Sequence, residues 1–109
     1  MRPADIRTRR QLQRHLESGV SLVDFCVPWS APCREQQGIL LHLVRRFHGK
    51  ARIGVMNVEE NEELAEAFGI ESVPTLVLFQ DRQEVRRFVG LHSAAVLTLA
   101  LAGILGEKG

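Results

Sequence analysis

The sequence predicts an α/β fold: a central mixed sheet of four to five strands flanked by about four helices. Three observations carry this. Apolar runs of strand length alternate with segments whose apolar residues recur every three or four positions. The first half alternates helix and strand, as a parallel βαβ unit with a right-handed crossover requires, whereas the second half holds two strands in succession, as in an antiparallel hairpin. Capping residues and glycines fall at the ends of these segments. At 109 residues the chain has the length of one domain, taken as 1–109, and a chain this long buries a core without metal or disulfide staples.

Taken in order, a short strand is expected around Ala4–Arg7. Thr8 and Gln11 have capping-box spacing ahead of a helix whose apolar face carries Leu12 and Leu16 and which Gly19 can end. Val20 to Val27 is rich in β-branched and apolar residues, the pattern of a strand covered on both faces, and Pro28 stops it. A long helix is expected from about Pro32 to His48, with an apolar stripe of Ile39, Leu40, Leu43, Val44 and Phe47 and with Gly49 just past its end. Arg52 to Val58 is the next strand. Asn61 is placed to cap a short helix, with Glu62 and Glu63 at its positive end and Leu64, Ala67 and Phe68 as its buried face. Thr75 to Phe79 and Glu84 to Val89 form strands joined by a turn over Gln80–Gln83. Ser93 caps a last helix with the stripe Val96, Leu97, Ala100, Leu101 and Ile104.

The formal net charge is +1, which excludes a strong nucleic-acid footprint. Residues 1–50 carry nine basic and four acidic groups, and 51–109 carry five and nine. The arginines at 2, 7, 9, 10 and 14 lack interleaved aromatic residues, so a solvated helix face is favoured over a nucleic-acid arm. No apolar run reaches membrane-spanning length and the first 20 residues lack a secretory core, so a cytoplasmic, reducing location is expected. The two cysteines are too few for a disulfide framework or a four-thiolate metal site, but enough for one redox pair. His15, His42, His48 and His92 have no metal-ligand spacing and are read as surface residues, and Glu59, Glu60, Glu62, Glu63 and Glu66 as a solvated acidic face. No metal and no cofactor are implied.

Three segments resemble the thioredoxin family, in order and at family spacing, over about Ile6 to Leu105. Val23-Asp24-Phe25 followed by Trp29-Ser30-Ala31-Pro32-Cys33-Arg34 is similar to V-D-F then W-C-G-P-C-K/R. Phe68-Gly69-Ile70 with Val73-Pro74-Thr75-Leu76 is similar to Y-G-I and I/V-P-T-L. Gly90 follows the last strand. The resemblance implies the thioredoxin fold and descent from thiol–disulfide redox proteins. It also implies a peptide-binding groove lined by Trp29, Ala31, Pro32, Val73, Pro74, Gly90 and Leu91, and a cis bond before Pro74. The expected partner is an extended protein or peptide client, with no nucleic-acid or membrane partner, and the chain is expected to be a monomer.

The departures lie at the motif. In the family the first cysteine of C-x-x-C attacks a disulfide and the second resolves the mixed disulfide; here Ser30 stands first and Cys33 second. A hydroxyl is a far weaker acid than a thiol and forms no disulfide-type intermediate, so ordinary dithiol–disulfide turnover is not expected. Ser30 is instead a good helix N-cap. Two readings of Cys33 stand side by side: a shielded small hydrophobe, or a slow monothiol whose thiolate the helix N-terminus and Arg34 favour. Cys26 occupies a place where the family usually has Trp. It is a core residue, or the relocated partner of Cys33, or an oxidation or glutathionylation site. Asp24 is costly to bury in an apolar strand, so its pKa should be raised. The family uses this residue as a buried acid/base and often sets a lysine opposite it; the corresponding residue here is Val55. Asp24 is thus either a remnant of catalysis or a proton-transfer group for Cys33.

Overall fold

The computed structural model describes residues 1–107; Lys108 and Gly109, counted in the expected domain, lie outside the described residues. The elements are β1 (Ala4–Ile6), α1 (Arg9–Leu16), β2 (Val20–Cys26), α2 (Ala31–Arg46), β3 (Ala51–Asn57), a 3₁₀ turn over Val58–Glu60, α3 (Glu62–Ala67), β4 (Thr75–Gln80), β5 (Gln83–Val89) and α4 (Ala94–Ile104). The five strands lie in the order β1-β3-β2-β4-β5. β3 runs parallel to β1 and β2, while β4 is antiparallel to both β2 and β5. This is the expected mixed sheet between four helices, the thioredoxin fold.

β2 lies at the centre, and all seven of its residues are buried. Its alternation feeds two cores. Val20 and Leu22 pack with Leu40, Leu43 and Phe47 of α2 and Leu97 and Leu101 of α4. Val23 and Phe25 pack on the opposite face with Leu12 and Leu16 of α1 and Leu64 of α3. Asp24 and Cys26 continue the first face, so strand periodicity alone sets both under the start of α2.

The capping box of α1 is present: Thr8 Oγ1 accepts the Gln11 N–H at 3.1 Å and Gln11 Oε1 accepts the Thr8 N–H at 3.2 Å. The β4–β5 turn is the two-residue Asp81-Arg82, with φ of 48° and 74°. Such a turn matches the right-handed twist of the strands it joins. Asp81 Oδ1 accepts the Gly19 N–H at 2.7 Å and steadies it. At Gly54 on β3 a Cβ would lie 2.6 Å from Ile6 Cδ1 and 3.0 Å from His15 Cε1, so a larger residue there would have to displace those side chains.

Several expectations are corrected. His15 is buried, because with Leu12 and Leu16 it forms the inward i, i+3, i+4 face of α1. Its Nε2 donates to Leu22 O at 3.3 Å, and burial lowers its pKa. His92 is half-buried, edge-on to Phe88, with Nδ1 donating to Gly90 O at 2.8 Å. Asn61 precedes α3 but its side chain does not cap it; its Nδ2 donates to Asn57 O, and Asn57 caps the preceding 3₁₀ turn. Ala65 is buried on α3 and Ala67 is exposed, since so short a helix presents little more than one turn to the sheet. Val96 is exposed at the open start of α4, and Ala102 joins the core instead. Arg2, Arg7, Arg9, Arg10 and Arg14 are all exposed, as a solvated face requires.

Candidate functional site

The site forms where β2 ends and α2 begins. Ser30 is the N-cap of α2, and its Oγ accepts the Cys33 N–H at 3.4 Å. Pro32 occupies the first turn, where its missing N–H costs nothing. Arg34 folds back, donating to the carbonyls of Trp29 at 2.9 Å and Pro28 at 3.4 Å, and so fixes the loop between strand and helix.

Cys33 is 0 % exposed and Cys26 is 1 % exposed, and the two share an apolar cluster with Val27. Both are free thiols. Cys33 Sγ accepts the Val27 N–H at 3.4 Å. The sulfur thus lies in the first turn of α2, against the backbone of the residue that follows Cys26. Cys26 Sγ donates to Asp24 Oδ2 at 3.4 Å. Burial first, then the Asp24 charge and hydrogen bonds to Cys33 and Asp24, push the Cys26 thiol up, so it holds its proton.

Asp24 is fully buried, and burial pushes its pKa up to about 7, with the Cys26 hydrogen bond acting in the opposite sense. Opposite it on β3 is Val55 and on β4 Leu76, so no cation faces it from the neighbouring strands. Its Oδ1 has no hydrogen-bond partner among the described residues. A buried carboxylate without compensation neutralises near physiological pH, and this one sits at that balance.

The groove residues separate into pairs. Trp29 is 67 % exposed, with its indole N–H donated to Glu59 Oε1 at 2.9 Å. It lines a shallow cleft of about 370 Å³ together with Val73, Val27, Val58 and Ile70. The Val73–Pro74 peptide is cis, and the buried Pro74 accepts the Gly90 N–H on its carbonyl at 2.8 Å. Ala31 and Pro32 are exposed on the first turn of α2, and Leu91 is exposed beyond Gly90; none of the three lines that cleft. A larger cleft of about 560 Å³, lined by Arg10, Arg14 and Arg82, holds neither thiol and no groove residue. No group of three metal-ligating side chains occurs among the described residues.

Sequence reasoning missed Gln36. It is fully buried on α2, its Nε2 donating to His92 O and its Oε1 accepting the His92 N–H, both at 2.9 Å. The two bonds clamp α2 to the segment between Gly90 and α4. The available signal was its place three residues after Cys33 and four before Leu40, a polar residue inside the apolar stripe.

Fold and site together define an α/β protein with a shielded thiol centre between its central strand and its longest helix. Comparison with known proteins makes this more specific. The chain belongs to the thioredoxin family, whose pattern, described as Thioredoxin, matches residues 6–102. It is similar to the thioredoxin of Chlamydia pneumoniae, 42 % identical over 83 residues, which is 76 % of this chain and 80 % of that one. It is likewise similar to a thioredoxin of Staphylococcus aureus, 41 % identical over 77 residues, 71 % and 74 % of the two chains. Among solved structures, a mutant thioredoxin of Halobacterium salinarum superposes with a TM-score of 0.91 at 28 % identity, over 99 % of this chain and 95 % of that one.

Proposed function

We propose that this thioredoxin-family protein binds an extended peptide or protein client but does not run dithiol–disulfide turnover through its Trp29-Ser30-Ala31-Pro32-Cys33 motif. The observation that carries the reading is the geometry of Ser30 and Cys33. At the place of the attacking thiol stands a hydroxyl engaged as a helix cap, and the motif's single remaining thiol is 0 % exposed. A client disulfide cannot be opened by the hydroxyl, and it has no path to the buried Cys33 sulfur. Exposed Trp29 beside Val73, with Pro74 held by Gly90, supports a retained groove that pairs with an extended backbone. Cys33 serves this reading as a shielded monothiol, in a reducing, cytoplasmic setting.

The test is insulin reduction with dithiothreitol as electron source. The wild-type protein should stay at the uncatalysed background, and turnover well above it overturns the reading. Ser30→Cys should confer turnover, because it restores an attacking thiol at the helix N-terminus. A folded Ser30→Cys protein that remains inactive removes Ser30 as the cause.

A further inference from the structure

The peptide-binding reading makes no use of the chemistry gathered at the end of β2. Three observations bear on that chemistry. The first is proximity: the Cys26 and Cys33 side chains share one apolar cluster, and Cys33 Sγ lies 3.4 Å from the amide nitrogen of Val27, the residue that follows Cys26. The second is a base: Cys26 Sγ already points its proton at Asp24 Oδ2, and the other carboxylate oxygen has no partner among the described residues. The third is an opening: a cleft of about 190 Å³, lined by Cys26, Val55, Gln37, Asn57, Asp5 and Glu60, reaches the Cys26 side of the cluster.

The opening restricts what can react there. With both thiols buried, a protein disulfide has no approach, and only a molecule of a few heavy atoms fits the cleft. On its wall Asp5 is paired with Arg7 at 2.7 Å, and the Glu60 carboxylate disfavours anions. Glutathione disulfide is both bulky and anionic and is excluded on both counts. A small neutral hydroperoxide satisfies both conditions.

We propose that Cys26, Cys33 and Asp24 form a second reactive centre, which reduces small neutral hydroperoxides and closes as a Cys26–Cys33 disulfide. This goes beyond the peptide-binding reading and needs neither Ser30 nor a client.

In the first step the Cys26 sulfur attacks one peroxide oxygen while its proton passes to Asp24. The O–O bond breaks, and the departing hydroxide (alkoxide for an alkyl hydroperoxide) takes that proton back from Asp24. Cys26 is left as a sulfenic acid. In the second step the Cys33 sulfur attacks the Cys26 sulfur. The S–S bond forms, the S–O bond breaks, and the leaving hydroxide combines with the Cys33 proton as water. Two thiols have lost two electrons, and hydrogen peroxide has become two molecules of water. The division of labour follows the contacts. Cys26 faces the cleft but holds its proton tightly, so it needs the base; Cys33 has the Val27 N–H and the helix N-terminus to support the charge it develops as resolving nucleophile.

The experiment treats fully reduced protein with one equivalent of hydrogen peroxide, alkylates the remaining thiols and maps the product by non-reducing mass spectrometry. The expected product is a monomer lighter by two hydrogens, with the Cys26 and Cys33 peptides linked and the link reversed by dithiothreitol. Cys33→Ala should stop at a Cys26 sulfenic acid, which dimedone traps once the oxidised protein is unfolded in its presence. Asp24→Asn, checked for fold by circular dichroism, should slow the first step by about a hundredfold or more, the usual worth of a positioned base. Two freely alkylatable thiols in the treated wild-type protein, a disulfide between chains, or an unchanged rate in folded Asp24→Asn each overturn the proposal. The wild-type mapping stands even where a variant fails to fold. Insulin turnover reads only the Ser30 motif, so the failure of one proposal is distinguishable from the failure of the other.

Discussion

The end of β2 and the start of α2 face each other across a short loop, and they treat their reactive groups in opposite ways. At the start of α2 three polar side chains are partnered: the Ser30 hydroxyl caps, Arg34 binds two loop carbonyls, and Gln36 makes a reciprocal pair with His92. At the end of β2 compensation is incomplete: among the described residues one Asp24 oxygen has no partner, and the other meets the weak thiol donor of Cys26. The difference teaches where reactivity resides. A satisfied polar network rigidifies, whereas an under-compensated buried carboxylate stores free energy that titration can release.

The largest expected effect breaks this contrast on the strand side. Burial raises the Asp24 pKa from 3.8 to about 7, so the folded state holds this proton more tightly than the unfolded state. The contribution therefore favours folding most below about pH 4, declines as pH rises towards 7, and is flat above. The span is on the order of 4 kcal/mol for a shift of about three units. Urea unfolding at a series of pH values should show this decline in the wild type and its loss in Asp24→Asn. Parallel curves for the two proteins would remove Asp24 as an uncompensated charge.

On the helix side, Gln36→Ala should cost about 1–3 kcal/mol, because it strands the half-buried His92 N–H and carbonyl. The loss should be independent of pH between 5 and 8, since Gln36 carries no proton to titrate; it is measured by the same unfolding series. A variant as stable as the wild type would show that the clamp is redundant. The smallest effect is Ser30→Ala, which removes the cap and should cost about 1 kcal/mol. Ser30→Asp should recover most of that, because an anion at a helix N-terminus is favourable. Thermal denaturation of the pair checks it: if Asp is as poor as Ala, the serine is not acting as a cap.

Much of the architecture was legible in local signals. Apolar periodicity, the Thr8–Gln11 box, the Ser30 and Ser93 caps and the strand pair after Pro74 each act over a few residues, and each is found as read. The misreadings share one cause. His15, Asn61, Ala67 and Val96 were assigned by residue type or by a repeat too short to fix a helix's rotation, and their burial depends on what packs against them.

The site divides along the same line. By itself the sequence determined which groups are present: a serine at the attacking position, a cysteine at the resolving one, a carboxylate in the central strand with Val55 opposite. Their chemistry at this level depends on covalent identity and spacing along one strand or one helix turn. Only the tertiary structure decided that a narrow cleft walled by Asp5, Gln37 and Val55 reaches the Cys26 thiol, and that Gln36 closes on His92 across 56 positions. Those contacts join segments distant along the chain, and the burial that shifts a pKa or shields a thiol is the sum of everything packed around it.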